Sequence, residues 1–262
     1  MSPSPDGALL TMIRDLGRRR GRERRGLALA EGIRLVEEAV AAGVAIRGAA
    51  VSSALEATPR GSALKSALTA AGVRLVEVDP AELEALSDTE QPQGIVAAVE
   101  PRAWALDDIA TPPGSVMLVL DAVQDPGNVG TMLRTALALG ATGVVALPGT
   151  AELANPKVLR GSMGAAFRLP AAWADPAALL AWIEARGVEL VVAAADGAPV
   201  GRQSRRGRPP LALVVGNEGA GVGPILASAA RRRVAIPLAP GVESLNVAVA
   251  AGILLYEVSR DA

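Results

Sequence analysis

The chain contains neither cysteine nor histidine. Without cysteine there is no disulfide, no thiolate nucleophile and no cysteine-ligated metal or iron–sulfur centre. Without histidine, the usual general base and the commonest metal ligand are missing too. Catalysis must therefore rest on Asp, Glu, Lys, Arg, Ser, Thr, Asn or backbone groups, and no metal is expected. Aromatic residues are scarce, with three Trp, one Tyr and one Phe. Stacking on nucleobases would be limited, leaving arginine planes and backbone groups as readers. Hydrophobic residues make up 50% of the chain, but Gly, Pro or charge interrupts each apolar run short of the roughly 20 residues of a membrane span. The opening MSPSPDG lacks an apolar signal core. A cytoplasmic protein without membrane contact is expected.

The 262 residues suffice for one large or two ordinary domains. A net charge of -1 shows no overall basic bias, so a polyanionic partner would have to be met by local patches. Three such patches exist: seven arginines between Arg14 and Arg25, four between Arg202 and Arg208, and the consecutive Arg231, Arg232 and Arg233. Each alone reads as solvated surface, but together they point to nucleic acid.

Strand and helix patterns alternate along the chain. A basic helix or partly frayed arm covers Leu9 to Arg25, followed by a strand and an amphipathic helix ending at Gly43. Strands at Ile46–Val51, Val73–Val78 and Gly94–Glu100, with helices between them, complete an α/β module. Residues 101–114, rich in Pro, suit a linker. The alternation then restarts with Val116–Leu120, whose continuous apolar character suits a parallel strand covered on both faces. The domains expected are thus 1–100, a linker at 101–114, and 115–262. Gly201–Pro210 reads as a flexible surface loop.

Three stretches carry the chemistry: DPGNVGTMLRTA from Asp125, VVGNEGAGV from Val214, and IPLAPGVESLNVAVAAGI from Ile236. The first suggests a Rossmann-type glycine loop, but Val123 and Asp125 stand where glycines would admit a ligand to the backbone. The second has no G-x-G-x-x-G frame, because Pro224 and Leu226 take the third glycine place. Neither ends as a phosphate-binding P-loop. Polar residues at the carboxyl ends of parallel strands, here Asn217, Glu218, Glu243, Ser244 and Asn246, mark the expected site.

In order and spacing, the three stretches resemble the signature motifs of the SpoU family of RNA 2'-O-ribose methyltransferases, within the SPOUT superfamily. The N-terminal segments AEGIRLVEEAVAAG and QGIVAAVE resemble that family's accessory substrate-binding domain, which has a ribosomal-protein-like fold. The resemblance implies an α/β fold whose C-terminal domain ends in a deep trefoil knot. It further implies S-adenosylmethionine as cofactor and a homodimer, joined through the C-terminal domain, in which each site is finished by the partner. Cofactor contacts carry over to Gly216, Ile236 and Leu245, and catalytic positions to Asn128, Arg134, Glu218, Ser244 and Asn246. Guanidinium groups stay protonated, so Arg134 is expected to bind the phosphate beside the target ribose, while the proton leaves through Glu218, Ser244 or water. Taken alone, Asn128 could be a helix cap, Glu218 a carboxylate capping the next helix, and Ile236 and Leu245 mere core.

The extra domain and the arginine-rich arm favour ribosomal RNA as substrate over transfer RNA. A non-catalytic RNA-binding ribosome-assembly factor on the same fold would have no need for all five polar positions.

Overall fold

The Ser4 hydroxyl oxygen accepts the Gly7 amide (3.1 Å) ahead of a helix with Pro5 at its first position, where a missing amide costs nothing. The structure, a computed structural model, describes residues 4–89, 91–201 and 205–259; Arg202 and part of the expected Gly201–Pro210 loop fall outside them. The first helix, α1 (Pro5–Leu16), buries Leu9, Ile13 and Leu16 at helical spacing, and α2 (Arg19–Arg25) follows. The basic segment is therefore an anchored helix pair rather than a frayed arm. Arg22 is buried and donates to the Leu16 and Gly17 carbonyl oxygens (3.0 and 3.3 Å). Arg24 and Arg25 pair with Asp15, and Arg19 with Glu23. Much of the run's charge is neutralised locally, leaving Arg14, Arg18 and Arg20 exposed.

Next come β1 (Ala28–Glu31), α3 (Ile33–Ala41), β2 (Ala45–Val51), α4 (Pro59–Ala70), β3 (Leu75–Glu77), α5 (Pro80–Leu86) and β4 (Ile95–Glu100). Their sheet has the order β1-β4-β2-β3, with only β2 and β3 parallel. One face packs under α3 and α4 through Val36, Leu64 and Leu68, and the other under α1 and α5 through Ile13, Leu16 and Leu83.

The remaining elements are β5 (Val116–Leu120), α6 (Pro126–Ala138), β6 (Val144–Ala146), α7 (Pro156–Ser162), β7 (Ala171–Trp173), α8 (Pro176–Ala185), β8 (Glu189–Pro199), β9 (Leu211–Val215), α9 (Pro224–Ala229), β10 (Arg232–Ala235) and α10 (Val247–Ser259). All neighbours in the sheet β10-β8-β9-β5-β6-β7 run parallel. The central β5 and β9 are buried at every residue, as their unbroken apolar runs predict. Neither β7 nor α7 was evident in the sequence, because each is short. Among the described residues, no helix is long and apolar enough to cross a membrane.

By contacts the chain divides into Met1–Arg102 with Ala154–Arg168, and Ala103–Leu153 with Leu169–Ala262. The expected boundaries differ in two respects: α7 and the turn after it join the first unit, and residues 103–114, expected as a linker, belong to the second, with Ile109 buried in its core. Leu159 and Phe167 sit in its core with Ala28, Val36 and Ile95, and Arg168 pairs with Glu38 (2.6 Å). Hydrophobic burial, rather than chain continuity, sets the membership. Leu159→Ala is therefore expected to destabilise the N-terminal sheet by about 2–5 kcal/mol. Native-state hydrogen exchange should show protection lost in β1 and β4; loss confined to β5 and β9 would contradict this packing.

Candidate functional site

The carboxyl ends of β9 and β10 open into loops whose shape is set by backbone bonds and small residues. Asn217 organises the first loop. Its Oδ1 accepts the Gly219 and Ala220 amides (2.9 Å each), its backbone exchanges two bonds with Gly221, and its Nδ2 donates to the Ala122 carbonyl (3.0 Å). Ala122 lies in the left-handed region (φ 57), held there by its surroundings. Asp121 ties the same two loops together by accepting the Gly223 amide (2.7 Å). Gly216 is required by close approach: a Cβ there would lie 2.2 Å from the Gly221 carbonyl carbon and 2.3 Å from the Val222 nitrogen.

Between these loops is a cavity of about 180 Å³. Gly216, Glu218, Ile236, Ser244 and Leu245 all line it, as expected from the sequence. Leu245 is 37% exposed and Ile236 half-buried, so neither is simply core. Ala193, Ala194 and Ala195 of β8 form a further wall that was not foreseen; three consecutive alanines in a strand are the signal, since small side chains leave room for a ligand.

Asn128 links the three motif loops. The N-cap of α6 is Asp125, whose Oδ1 accepts the Asn128 amide (2.7 Å), so the cap reading of Asn128 itself does not hold. Its side chain is free to face the other loops. Asn128 Nδ2 donates to Glu218 Oε1 (3.1 Å), and Asn128 Oδ1 accepts from Asn246 Nδ2 (3.0 Å). Asn246 Oδ1 in turn accepts the Ala248 and Val249 amides (2.9 and 3.2 Å), which starts α10 at Val247 rather than at Ser244. Such a cap contributes about 1 kcal/mol. It also orients the chain of amides. With Asn246 Oδ1 committed to backbone donors, its Nδ2 faces Asn128 Oδ1, and Asn128 Nδ2 is then turned to an acceptor on the other side. The Glu218 carboxylate is that acceptor, and the N-cap of the following α9 is Gly223 instead.

Arg134 lies elsewhere in the chain. It is exposed on α6 and, with Thr131, Thr135, Gly252, Ile253 and Tyr256, lines an open groove between α6 and α10; it is not among the residues lining the cavity.

The cavity's chemistry suits S-adenosylmethionine. Val215, Ile236, Leu238 and Leu254 offer apolar surface for an adenine, Gly216 and Gly221 leave backbone groups accessible, and Glu218 and Glu243 put negative charge on the lining, which suits a molecule carrying a sulfonium and an ammonium.

Comparison with known proteins shows the family. Residues 115–256 match the model of the SpoU rRNA Methylase family, and residues 10–97 match the MRM3-like substrate binding domain. The 23S rRNA (guanosine(2553)-2'-O)-methyltransferase RlmP of Bacillus subtilis is 38% identical over 188 residues, covering 71% of this chain and 73% of the relative. The 23S rRNA (guanosine-2'-O-)-methyltransferase RlmB of Ralstonia nicotianae is 38% identical over 201 residues, covering 74% and 80%. Among solved structures, the SpoU methyltransferase AviRb of Streptomyces viridochromogenes in complex with AdoMet superposes with a TM-score of 0.86 at 31% identity, covering 95% of this chain and 96% of that one.

Gly216→Ala is expected to push the Gly221–Val222 backbone into the cavity and weaken S-adenosylmethionine binding by about tenfold or more. Titration calorimetry measures this directly, and an unchanged affinity would place the cofactor elsewhere.

Proposed function

The chain belongs to the SpoU rRNA methylase family, and we propose that it transfers a methyl group from S-adenosylmethionine to a ribose 2'-hydroxyl of ribosomal RNA. The observation that carries this reading is the bonded series Glu218–Asn128–Asn246 at a cavity lined by Gly216, Ile236 and Leu245. When bound, S-adenosylmethionine supplies an electrophilic methyl group on a sulfonium. Ile236 and Leu245 grip its apolar parts, and Gly216 keeps the slot clear.

Glu218 presents a carboxylate whose Oε1 is engaged by Asn128, leaving Oε2 to accept the proton of the ribose hydroxyl. Ser244, on the same wall, orients that hydroxyl. Asn246 and Asn128 act by holding Glu218 in place.

Arg134 fits this scheme in a homodimer. The α6–α10 face exposes Val249 (51%), Ile253 (37%) and Tyr256 (40%), an apolar strip that a second copy would cover. Pairing there carries each Arg134 to the partner's cavity, where its guanidinium binds the phosphate beside the target ribose. Arg134 has no hydrogen-bond or ion-pair partner among the described residues, in keeping with a partner supplied by the complex. The deep trefoil knot of the C-terminal domain is likewise part of the proposal; it rests on family membership and on the convergence of the β9–α9 and β10–α10 loops at one cavity. The proposed place of action is the cytoplasm.

Tritiated-methyl transfer into total rRNA, followed by mapping of alkali-resistant linkages, tests the substrate; absence of incorporation would refute it. Arg134→Ala should leave cofactor affinity nearly intact and abolish transfer. An equal mixture of Arg134→Ala and Gly216→Ala chains, co-refolded and assayed at S-adenosylmethionine far below the dissociation constant of Gly216→Ala, should reach about a quarter of the wild-type activity, above either variant alone, because half the dimers then hold one complete site. No recovery would mean that Arg134 acts within its own chain.

A further inference from the structure

A second cavity, of about 250 Å³, lies in the N-terminal unit between the β1–α3 turn, the α5–β4 loop and α7. One wall is built on a buried ionic network. Glu31, its side chain 2% exposed, accepts from Arg160 Nη1 (2.9 Å), the Asp88 amide (2.9 Å) and Ser87 Oγ (3.1 Å), while Arg160 Nη2 donates to Asp88 (2.8 Å). Leu35, Ile95 and Met163 supply apolar surface.

Two backbone features shape the cavity wall. Met163 takes a left-handed conformation (φ 51) as the C-cap of α7, which ends that helix at the cavity. Gly32 (φ 88) lets Gln93 approach, since a Cβ there would lie 2.9 Å from Gln93 Oε1. That oxygen accepts the Ile33 amide (3.1 Å), which leaves the Gln93 amino group as a donor at the rim.

The electrostatics select the ligand. Among the described residues, Glu31 and Asp88 are both paired with Arg160, so the ionic wall presents no unpaired carboxylate, and the apolar and amide-bearing remainder of the lining suits a flat molecule with polar edges. The exposed Gln91 amide combines donor and acceptor groups, and Gln93 adds the donor left by its bond to Ile33, together the complement of a nucleobase edge. Arg34, exposed in the first turn of α3, has no carboxylate partner among the described residues and sits against the helix dipole. A cation retained at that position suits a phosphate outside the cavity mouth.

We infer that this cavity receives one unpaired nucleotide of the RNA substrate, its base edge read by Gln91 and Gln93 and its phosphate held by Arg34. The inference rests on the ribosomal RNA reading above, and it gives the N-terminal unit a defined contact rather than a diffuse basic surface.

The test uses the full chain. Photo-crosslinking to rRNA substituted with 4-thiouridine, with mapping of the crosslinked peptides, should label the segments around Gln91 and Met163. Arg34→Ala/Gln91→Ala should reduce that labelling and raise the KM for rRNA by about tenfold, with the S-adenosylmethionine dissociation constant within about twofold of wild type. Met163→Gly keeps the left-handed backbone while removing the side chain, and should raise KM in the same direction. Methylation by the wild type with an unchanged KM in the variants, or crosslinks outside both segments, would overturn the nucleotide site alone. Absence of wild-type methyl incorporation into rRNA would overturn the substrate reading and this inference with it.

Discussion

The side chain of Asn128 is the constraint on which the site depends. It projects from the first turn of α6 and touches one residue from each of the other two motif loops, using its amino group for Glu218 and its carbonyl for Asn246. Because an amide has a donor end and an acceptor end, the bonds have a direction. The α10 amides determine the orientation of Asn246, Asn246 that of Asn128, and Asn128 which oxygen of Glu218 is engaged. Aspartate or leucine of similar size at position 128 could not serve both neighbours.

Around this series the loops are held by contacts that tolerate little change. Gly216 lies so near the Gly221 backbone that no side chain fits there, and Asn217 and Asp121 tie the β9–α9 loop to the loop after β5. Such pre-organisation matters for a reaction in which a weak nucleophile must be aligned with a methyl carbon, since alignment secured before binding need not be achieved during it. Each unit carries a cavity of its own: one lined by the motif loops, the other largely apolar with a buried ionic network in its wall.

Much of this was legible in the sequence, because local patterns there and the final packing agree. The continuous apolar run Val116–Leu120 became a fully buried parallel strand, and the alternating and helical patterns between Leu27 and Glu100 became the elements they suggested. Five of the eight positions expected for the site, Gly216, Glu218, Ile236, Ser244 and Leu245, line one cavity, and Asn128 and Asn246 form a bonded series with Glu218. Less legible were short elements and side-chain partners. Nothing in a run of arginines distinguishes Arg22, buried as a cap on α1, from Arg20, exposed to solvent.

The sequence by itself determined the chemistry available: no thiol, no imidazole, a set of amides, carboxylates and arginines, and loops of Gly and Pro at strand ends. It also determined the alternation of strand and helix, since the period of apolar residues is a local property. Only the tertiary structure decided where each group points. It drew α7 into the N-terminal core, turned Asn128 toward two distant loops, and set Arg134 in a groove apart from the cavity of its own chain. Those outcomes depend on contacts between residues far apart along the chain, which burial and hydrogen-bond satisfaction select only once the whole fold has formed.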